Sequence, residues 1–178
     1  MKSILQAAAI VTTALSFATS VPAKVASQSA NGFTVTHEAD VAVDPRGAYD
    51  AFVSIGSWWS DAHSFSGAAK NISIEPKAGG CWCEALPNGG SVSHMSVVHA
   101  NPGALLVFSG GLGPLQFMGV AGSMKVGFKA EGKGTHISVV YAVGGYDPDD
   151  FKEISKGVDA VLGEQMTRYA KFASTGKP

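Results

Sequence analysis

Apolar and polar residues alternate along most of the chain from Phe33 to Val143, and this two-residue period predicts β-strands. The first strand is predicted over residues 33–43. The later strands are predicted over residues 72–75, 80–86, 91–99, 105–109, 123–130 and 135–143. Turn-forming residues separate neighbouring strands, as at Asn88-Gly89. We therefore expect one antiparallel sheet of about seven strands.

A short helical region is predicted directly after the first strand. Asp44 and Pro45 have the form of a helix N-cap followed by a proline at the first helical position. The apolar residues between Ala48 and Val53 form one face of this helix, and Gly56 supplies a stop at its C-terminus.

A longer helix is predicted near the C-terminus, where apolar residues recur at three- and four-residue steps from Phe151 to Phe172. Residues 147–150 supply a capping aspartate, a proline and further acidic residues at its start. Gly157 and Gly163 lie inside this helix, where each glycine costs about 1 kcal/mol relative to alanine. We interpret both glycines as positions where the helix packs closely against another part of the structure. We favour the sheet over a bound molecule as that partner.

One strand, a short helix, six strands and a long helix define an α+β fold. Its most distinctive motifs are Asp44-Pro45, Trp58-Trp59, Gly79-Gly80-Cys81-Trp82-Cys83-Glu84 and Gly134-Thr135. In this order, the elements and motifs resemble the START-like, polyketide-cyclase or SRPBCC superfamily. The resemblance covers residues 33–174 and implies the helix-grip fold, a curved antiparallel sheet wrapped around the C-terminal helix with a deep cavity between them. Members include lipid carriers, hormone receptors, cyclases and chaperone activators, so the fold assigns no single function.

Residues 1–23 have the pattern of a secretory signal peptide. Lys2 precedes an apolar run over residues 4–17, and Val21-Pro22-Ala23 and Ala18-Thr19-Ser20 offer possible cleavage sites. This run is shorter than the roughly 20 residues of a spanning helix, which disfavours an uncleaved membrane anchor. We expect an exported protein, periplasmic or secreted, with a flexible lead-in over residues 24–32 and one domain over residues 33–174.

The formal net charge of −1 and the lack of a basic stripe argue against a nucleic-acid-binding surface. They also give no support for electrostatic attraction to a membrane. No ligand pattern with firm spacing for a metal occurs in the sequence, and no phosphate-loop motif, so we expect neither a metal nor a cofactor. We expect a monomer whose partner is a small hydrophobic molecule.

Large apolar residues are expected around the cavity that the resemblance implies. The residues expected to line it are Trp58, Trp59, Trp82, Met95, Phe117, Met118, Tyr141, Leu162 and Met166. Such a cavity would bind a lipid-like or polyketide-like molecule through apolar burial, worth about 25 cal/mol per Å². The export signal disfavours a chaperone activator, because it separates the protein from an ATP-driven partner.

An alternative function is that of a cyclase, hydrolase or isomerase, with Glu84 and His63 as the candidate catalytic residues for proton transfer. Glu84 shares a strand face with Trp82, and an apolar setting would raise the pKa of its carboxyl. Glu84 could instead orient a polar end of a ligand or pair with Lys77 at the rim, and we favour the rim ion pair. His63 follows the tryptophans in a loop whose polar residues are explained by turn formation alone.

Cys81 and Cys83 are two residues apart on a predicted strand, so their side chains share a face about 7 Å apart, at or beyond the reach of an unstrained disulfide. In a regular hairpin, Cys83 pairs with His94 and Cys81 pairs with Ser96. Two thiols and an imidazole on one face would suit a soft metal such as copper. No further strong ligand is evident, so we favour reduced thiols or a mixed redox role.

Residues 110–119 form a glycine-rich connection that also carries Leu112, Leu115, Phe117 and Met118. Exposed loops rarely carry so many large apolar side chains. The connection would form a lid over the cavity, make transient contact with a membrane, or fold inward and complete the core.

Overall fold

The computed structural model describes residues 24–178, which form one antiparallel sheet and two α-helices. The strands are β1 (Lys24–Ser29), β2 (Gly32–Val41), β3 (Ile72–Ile74), β4 (Cys81–Ala85), β5 (Ser91–Asn101), β6 (Leu105–Ser109), β7 (Val120–Glu131) and β8 (Gly134–Gly145). The helices are α1 (Pro45–Val53) and α2 (Lys152–Thr175). The predicted signal peptide, residues 1–23, lies outside the described residues.

The strand order of the sheet is β1-β2-β8-β7-β6-β5-β4-β3, and neighbouring strands are antiparallel throughout. The sheet is open, with β1 and β3 at its two edges. α2 packs against β2 and α1. An open antiparallel sheet with a long C-terminal helix confirms the predicted α+β helix-grip fold. Within residues 24–178, neither helix is long and apolar enough to cross a membrane.

The core lies where the inward-facing residues of the strands meet the apolar face of α2. Alternate residues of β8 are buried, as a two-residue period requires, and the buried residues of α2 recur at helical spacing. The buried apolar residues of these two elements are Ile137, Val139, Tyr141, Val143, Val158, Leu162, Met166 and Tyr169.

The start of α1 agrees with its predicted N-cap. The Asp44 carboxylate accepts a hydrogen bond from the Gly47 amide at 2.7 Å, and Pro45 occupies the first turn. This bond satisfies an amide that would otherwise lack an intrahelical partner. α1 ends at Val53, before the predicted stop at Gly56.

The N-terminal boundary differs from the prediction. Residues 24–29, predicted to belong to a flexible lead-in, form β1 and pair with β2 from Lys24 opposite Thr36 to Ser29 opposite Gly32. Over residues 24–178, the sheet therefore has eight strands instead of about seven. Polar side chains such as Ser and Gln suit an exposed edge strand. Because these residues are polar, β1 lacks the alternation of apolar and polar residues by which the other strands were predicted.

The start of α2 also differs from the prediction, because residues 147–150 form a turn outside the helix. The Asp147 carboxylate accepts hydrogen bonds from the amides of Asp149 and Phe151 at 3.1 and 3.0 Å. Asp150 and Phe151 have φ of 54° and 61°, in the left-handed region, so the helix begins only at Lys152. The turn buries the Phe151 ring against Phe33, with 5.8 Å between ring centroids.

Candidate functional site

A cavity of about 360 Å³ lies between α2, the sheet and two loops. α2 contributes Ile154, Gly157, Val158, Val161 and Leu162 to its wall. The sheet contributes Ile72, Trp82 and His94, and the loops contribute residues 62–65 and 112–114 together with Trp59. The polar side chains of the lining are His63, Ser64 and His94. The cavity is therefore mainly apolar, with few groups able to orient a bound molecule.

α2 fixes the loop that carries Trp59. Arg168 Nε donates a hydrogen bond to the Trp58 carbonyl at 2.8 Å, and the Gln165 side chain accepts one from the Ser60 amide at 2.9 Å. The Trp59 indole donates to the His63 carbonyl at 2.9 Å. Its ring meets Trp82 edge to face, with 5.4 Å between centroids. Helix and loop thus hold Trp59 in a fixed orientation against Trp82 on one wall.

The structure places Trp59, Trp82 and Leu162 on the cavity wall, as the sequence predicted. It places the other predicted lining residues outside the wall, namely Trp58, Met95, Phe117, Met118, Tyr141 and Met166. A role of any of the nine in ligand binding stays a prediction.

Trp58 is a core residue, in contrast to its neighbour. Its indole donates to the carbonyls of Ala51 and Phe52 at 3.0 and 3.2 Å. Its ring packs against Phe52 and Tyr169, at 5.4 Å between centroids in each case. Adjacent residues of an irregular loop point in different directions, so Trp58 fills the core while Trp59 faces the cavity.

Tyr141 anchors the 110–119 loop instead of facing the cavity. Its hydroxyl donates to the Gly110 carbonyl and accepts from the Leu112 amide, each at 3.0 Å. Burial raises the pKa of Tyr141 to about 12, so the phenol remains protonated and can keep donating.

The 110–119 loop faces both inward and outward. Leu112 and Leu115 are buried, and residues 112–114 form part of the cavity wall. Phe117 is 80% exposed and meets the half-exposed Phe65 edge to face, with 6.2 Å between centroids. The inward-folding interpretation is therefore confirmed for Leu112 and Leu115, and the lid interpretation stays a prediction. Contact with a membrane stays a prediction.

Glu84 is buried, with 1% of its surface exposed, and it does not lie at the rim. Its carboxylate accepts hydrogen bonds from the Phe65 and Ser66 amides at 3.1 and 2.5 Å. The predicted pairing with Lys77 is wrong, because Lys77 pairs with Glu75 at 2.6 Å. Burial raises the pKa of the Glu84 carboxyl, but hydrogen bonds from Ser66, Phe65 and His94 outweigh burial and lower the pKa below its ordinary value. Glu84 is therefore a buried carboxylate.

The partner of Glu84 is His94, whose Nε2 lies 2.9 Å from Glu84 Oε2. A β-bulge brings His94 to this side of the sheet: Trp82 pairs with Met95, whereas Cys83 pairs with Ser93. His94 is the extra residue on β5, and it is buried next to the equally buried Met95. The predicted pairing of Cys83 with His94 is therefore wrong, and sequence reasoning missed His94 as a cavity residue.

His94 is enclosed by aromatic rings and by the 110–119 loop. Phe65 stacks on its imidazole with 5.7 Å between centroids, and Trp82 lies at 6.3 Å. The Gln116 side-chain amide lies 3.4 Å from His94 Nδ1. Burial lowers the pKa of His94 below its ordinary value, and the Glu84 carboxylate offsets only part of this shift. The imidazole is therefore neutral at neutral pH.

Cys81 and Cys83 form a disulfide, so the prediction of reduced thiols is wrong. Their Cα atoms are 5.3 Å apart, closer than the spacing expected for a regular strand and within the range of a disulfide. His94 faces the opposite side, so the cluster of two thiols and an imidazole does not assemble. Within residues 24–178, no three His, Cys, Asp or Glu side chains are grouped to hold a metal ion.

His63 lies on the cavity wall but is separate from the Glu84–His94 pair. Its Nε2 atom is 3.0 Å from Glu164 Oε2 on α2, and the side chain is 31% exposed. Asp61 accepts a hydrogen bond from the Ala69 amide, and Ser64 donates to the Asp61 carbonyl. These polar residues satisfy one another and stabilise the loop, as turn chemistry predicts.

Gly157 borders the cavity and does not approach the sheet closely. A Cβ atom added to Gly157 would meet no atom within 4 Å. The expectation of close packing against the sheet is therefore wrong at this position, where the missing side chain leaves the cavity wider.

No protein-family model and no curated protein matches this chain. Solved structures do match its fold. A conserved protein of unknown function from Enterococcus faecalis is 12% identical, with a TM-score of 0.59, over 83% of this chain and 75% of that chain. The Aha1 dimer from Colwellia psychrerythraea is 14% identical, with a TM-score of 0.59, over 82% of this chain and 98% of that chain.

A protein of the dynemicin biosynthetic locus, DynU16, is 16% identical to this chain, with a TM-score of 0.57. The match covers 82% of this chain and 48% of DynU16. At such low identities, these similarities establish the fold alone, and the fold is shared by proteins of different function.

Proposed function

We propose that this chain is an exported member of the START-like superfamily that binds a small hydrophobic or amphipathic molecule in the cavity beside α2. The observation that carries the proposal is the mainly apolar cavity of about 360 Å³, with an oriented imidazole in its wall. Small-molecule sites are typically concave, apolar and about 300–1,000 Å³ in volume, with few placed polar groups.

Apolar burial supplies the affinity in this proposal. Val158 and Leu162 of α2 face the cavity together with the rings of Trp59 and Trp82. Each Å² of apolar surface removed from water is worth about 25 cal/mol. The Trp59 indole is held by its hydrogen bond to His63, and Trp82 is buried against it, so little side-chain ordering is left to oppose binding.

A neutral, polarity-sensitive fluorophore, N-phenyl-1-naphthylamine, tests the proposal by titration. Gly157→Leu would project a side chain into open space at the cavity and should weaken probe binding by at least about tenfold, through steric exclusion. Ala160→Leu is the matched control, because it adds a similar side chain to an exposed position of α2 outside the lining. We expect its affinity to stay within about twofold of wild type.

Equal probe affinity in wild type, Gly157→Leu and Ala160→Leu would contradict the proposed binding site. Circular dichroism of all three proteins establishes that they share one fold. Intrinsic fluorescence gives a second readout, because Trp59 and Trp82 lie on the wall and a bound probe should quench them.

A second candidate function is catalysis of proton transfer. The observation that favours it is a neutral imidazole held at 2.9 Å by a buried carboxylate, an arrangement suited to a general base. Once the natural ligand is known, its conversion by wild type and His94→Gln separates the two functions. If the protein is an enzyme, His94→Gln should lower turnover by about 10²–10⁴-fold while ligand binding is retained. We expect binding without conversion.

The proposed export rests on the sequence pattern of residues 1–23. N-terminal sequencing of exported protein should give a start near Lys24, because the small residues of 21–23 precede it. Exported protein that retains Met1 would contradict cleavage. Transient membrane contact is proposed to involve Phe117, whose ring is 80% exposed.

A further inference from the structure

The Glu84–His94 pair fixes which nitrogen of the imidazole carries the proton. A carboxylate only accepts hydrogen bonds, so the Nε2 atom of His94 must donate to Glu84 Oε2 across their 2.9 Å separation. The Phe65 and Ser66 amides donate to the same carboxylate. These bonds favour the ionised carboxylate, which in turn holds the proton on Nε2.

The remaining nitrogen, Nδ1, then carries no proton and can accept a hydrogen bond. Its neighbour is the Gln116 side-chain amide at 3.4 Å, which is beyond the usual range for a strong N–H···N or N–H···O contact. Gln116 is only partly buried, on the 110–119 loop that also forms cavity wall. A bound molecule with a better donor would therefore replace a weak bond.

Two other polar side chains of the cavity wall, Ser64 and His63, have partners already. Ser64 donates its hydroxyl to the Asp61 carbonyl at 2.8 Å, and His63 pairs with Glu164 at 3.0 Å. A charged ammonium donor would lose much of its hydration between apolar walls. The aromatic rings around His94, with Phe65 stacked on it and Trp82 tilted beside it, suit a planar ring that carries a neutral hydroxyl.

On the basis of the proposed function, we infer that the cavity selects planar ligands with a phenol-type or enol-type hydroxyl, which donates a hydrogen bond to His94 Nδ1. Glu84 is a positioning residue in this scheme, since it sets the tautomer of His94 without contacting the ligand. An ether or ketone oxygen at the same place would face the lone pair of His94 Nδ1. Such a ligand is disfavoured because neither atom can donate a hydrogen bond to the other.

The test compares 2-naphthol with its methyl ether, 2-methoxynaphthalene, by isothermal titration calorimetry. Apolar burial alone favours the ether by about fourfold, because the ether has one more carbon to bury. The inferred hydrogen bond should reverse this order, with naphthol at least about tenfold tighter than the ether in wild type. His94→Phe replaces the imidazole by an apolar ring without a hydrogen-bond acceptor. In this variant the ether should bind at least as tightly as naphthol.

Gln116→Ala gives a second variant at a partly buried loop position, and it removes only the competing amide. We expect naphthol to bind about two- to fivefold tighter in this variant and the ether to be unchanged. Glu84→Gln should reduce the naphthol preference, because an amide can donate to Nε2 and move the imidazole proton to Nδ1.

The outcomes separate the inference from the function on which it rests. An ether that binds wild type as tightly as naphthol would overturn the hydroxyl selection while leaving the binding function in place. A naphthol preference that survives in His94→Phe would overturn the role of His94. If neither compound nor N-phenyl-1-naphthylamine binds wild type, both the function and the inference are overturned.

Discussion

His94 Nε2 lies 2.9 Å from Glu84 Oε2, and both side chains are almost fully buried. The two residues come from adjacent strands, but they meet only because a bulge on β5 turns His94 toward the interior. His94 lies on the mainly apolar cavity wall, and Glu84 holds its imidazole from behind that wall. The pair also makes the stability of the fold sensitive to substitution and to pH.

Glu84→Gln should lower the free energy of unfolding by about 1–3 kcal/mol, because the Phe65 and Ser66 amides and His94 lose a charged acceptor. Glu75→Gln is the matched control, because Glu75 is exposed and forms an ion pair with exposed Lys77. The control should change stability by less than about 0.5 kcal/mol. Urea unfolding of both variants measures the difference, and equal effects would contradict a structural role for the buried pair.

Acidification should destabilise the protein below pH 6.5. Burial lowers the folded-state pKa of His94 and of His37 from their ordinary value of 6.5, with Glu84 and Asp159 offsetting part of the shifts. Below pH 6.5 the unfolded chain therefore binds more protons than the folded protein, and the free energy of unfolding falls as pH falls. Because the folded-state pKa of Glu84 is lowered from 4.5, protonation of this carboxyl causes a further fall in the free energy of unfolding below pH 4.5.

Urea unfolding at pH 7.5, 6.5 and 5.5 measures this dependence. His94→Phe should flatten it, because one of the two buried imidazoles no longer takes up a proton on unfolding. Stability that stays constant or rises from pH 7.5 to 5.5 would contradict the neutral, buried state of these histidines.

Gly157→Ala should raise the free energy of unfolding by about 0.5–1 kcal/mol, because alanine is the better helix former and its methyl group meets no atom within 4 Å. The small methyl group should leave much of the cavity open, so probe binding should weaken far less than in Gly157→Leu. Urea unfolding and probe titration of the two variants provide the comparison. A loss of stability in Gly157→Ala would show that this position is packed.

Cys81 and Cys83 should both be oxidised in the purified protein. Alkylation of the unfolded chain should label neither cysteine without a reductant and both cysteines after reduction. The double variant Cys81→Ser with Cys83→Ser should lose only about 1–2 kcal/mol of stability, because the disulfide closes a very short loop. Labelling of both thiols without reduction would contradict the disulfide.

The architecture was predictable because burial on one face of a strand or helix leaves a period in the sequence. The recurrence from Phe151 to Phe172 marked α2, and the alternation along β8 marked its inward residues. β1 escaped detection because an edge strand with polar side chains carries no such period. The left-handed turn at Asp150-Phe151 likewise has no strong sequence signal, because neither residue is glycine.

The candidate site was less predictable because it depends on one inserted residue. A regular register puts His94 opposite Cys83 on the outer face, and the bulge moves it to the face of Trp82 and Glu84. One signal was present: Glu84 shares the inward face with Trp82, and a buried carboxylate requires donors. The sequence therefore indicated that Glu84 needs a donor, but it did not indicate which residue is that donor. Trp58 and Trp59 were both predicted to line the cavity, but only Trp59 does. The size of a side chain alone does not distinguish a core residue from a cavity-wall residue.

Native mass spectrometry of the purified protein tests the central claim most directly, because it observes a molecule held in the cavity. We predict a species heavier than the polypeptide alone by the mass of one small molecule. The added mass should be retained in Ala160→Leu and lost in Gly157→Leu, which fills open space at the cavity. A wild-type protein found only at the bare polypeptide mass, or an added mass that persists unchanged in Gly157→Leu, would contradict binding in this cavity.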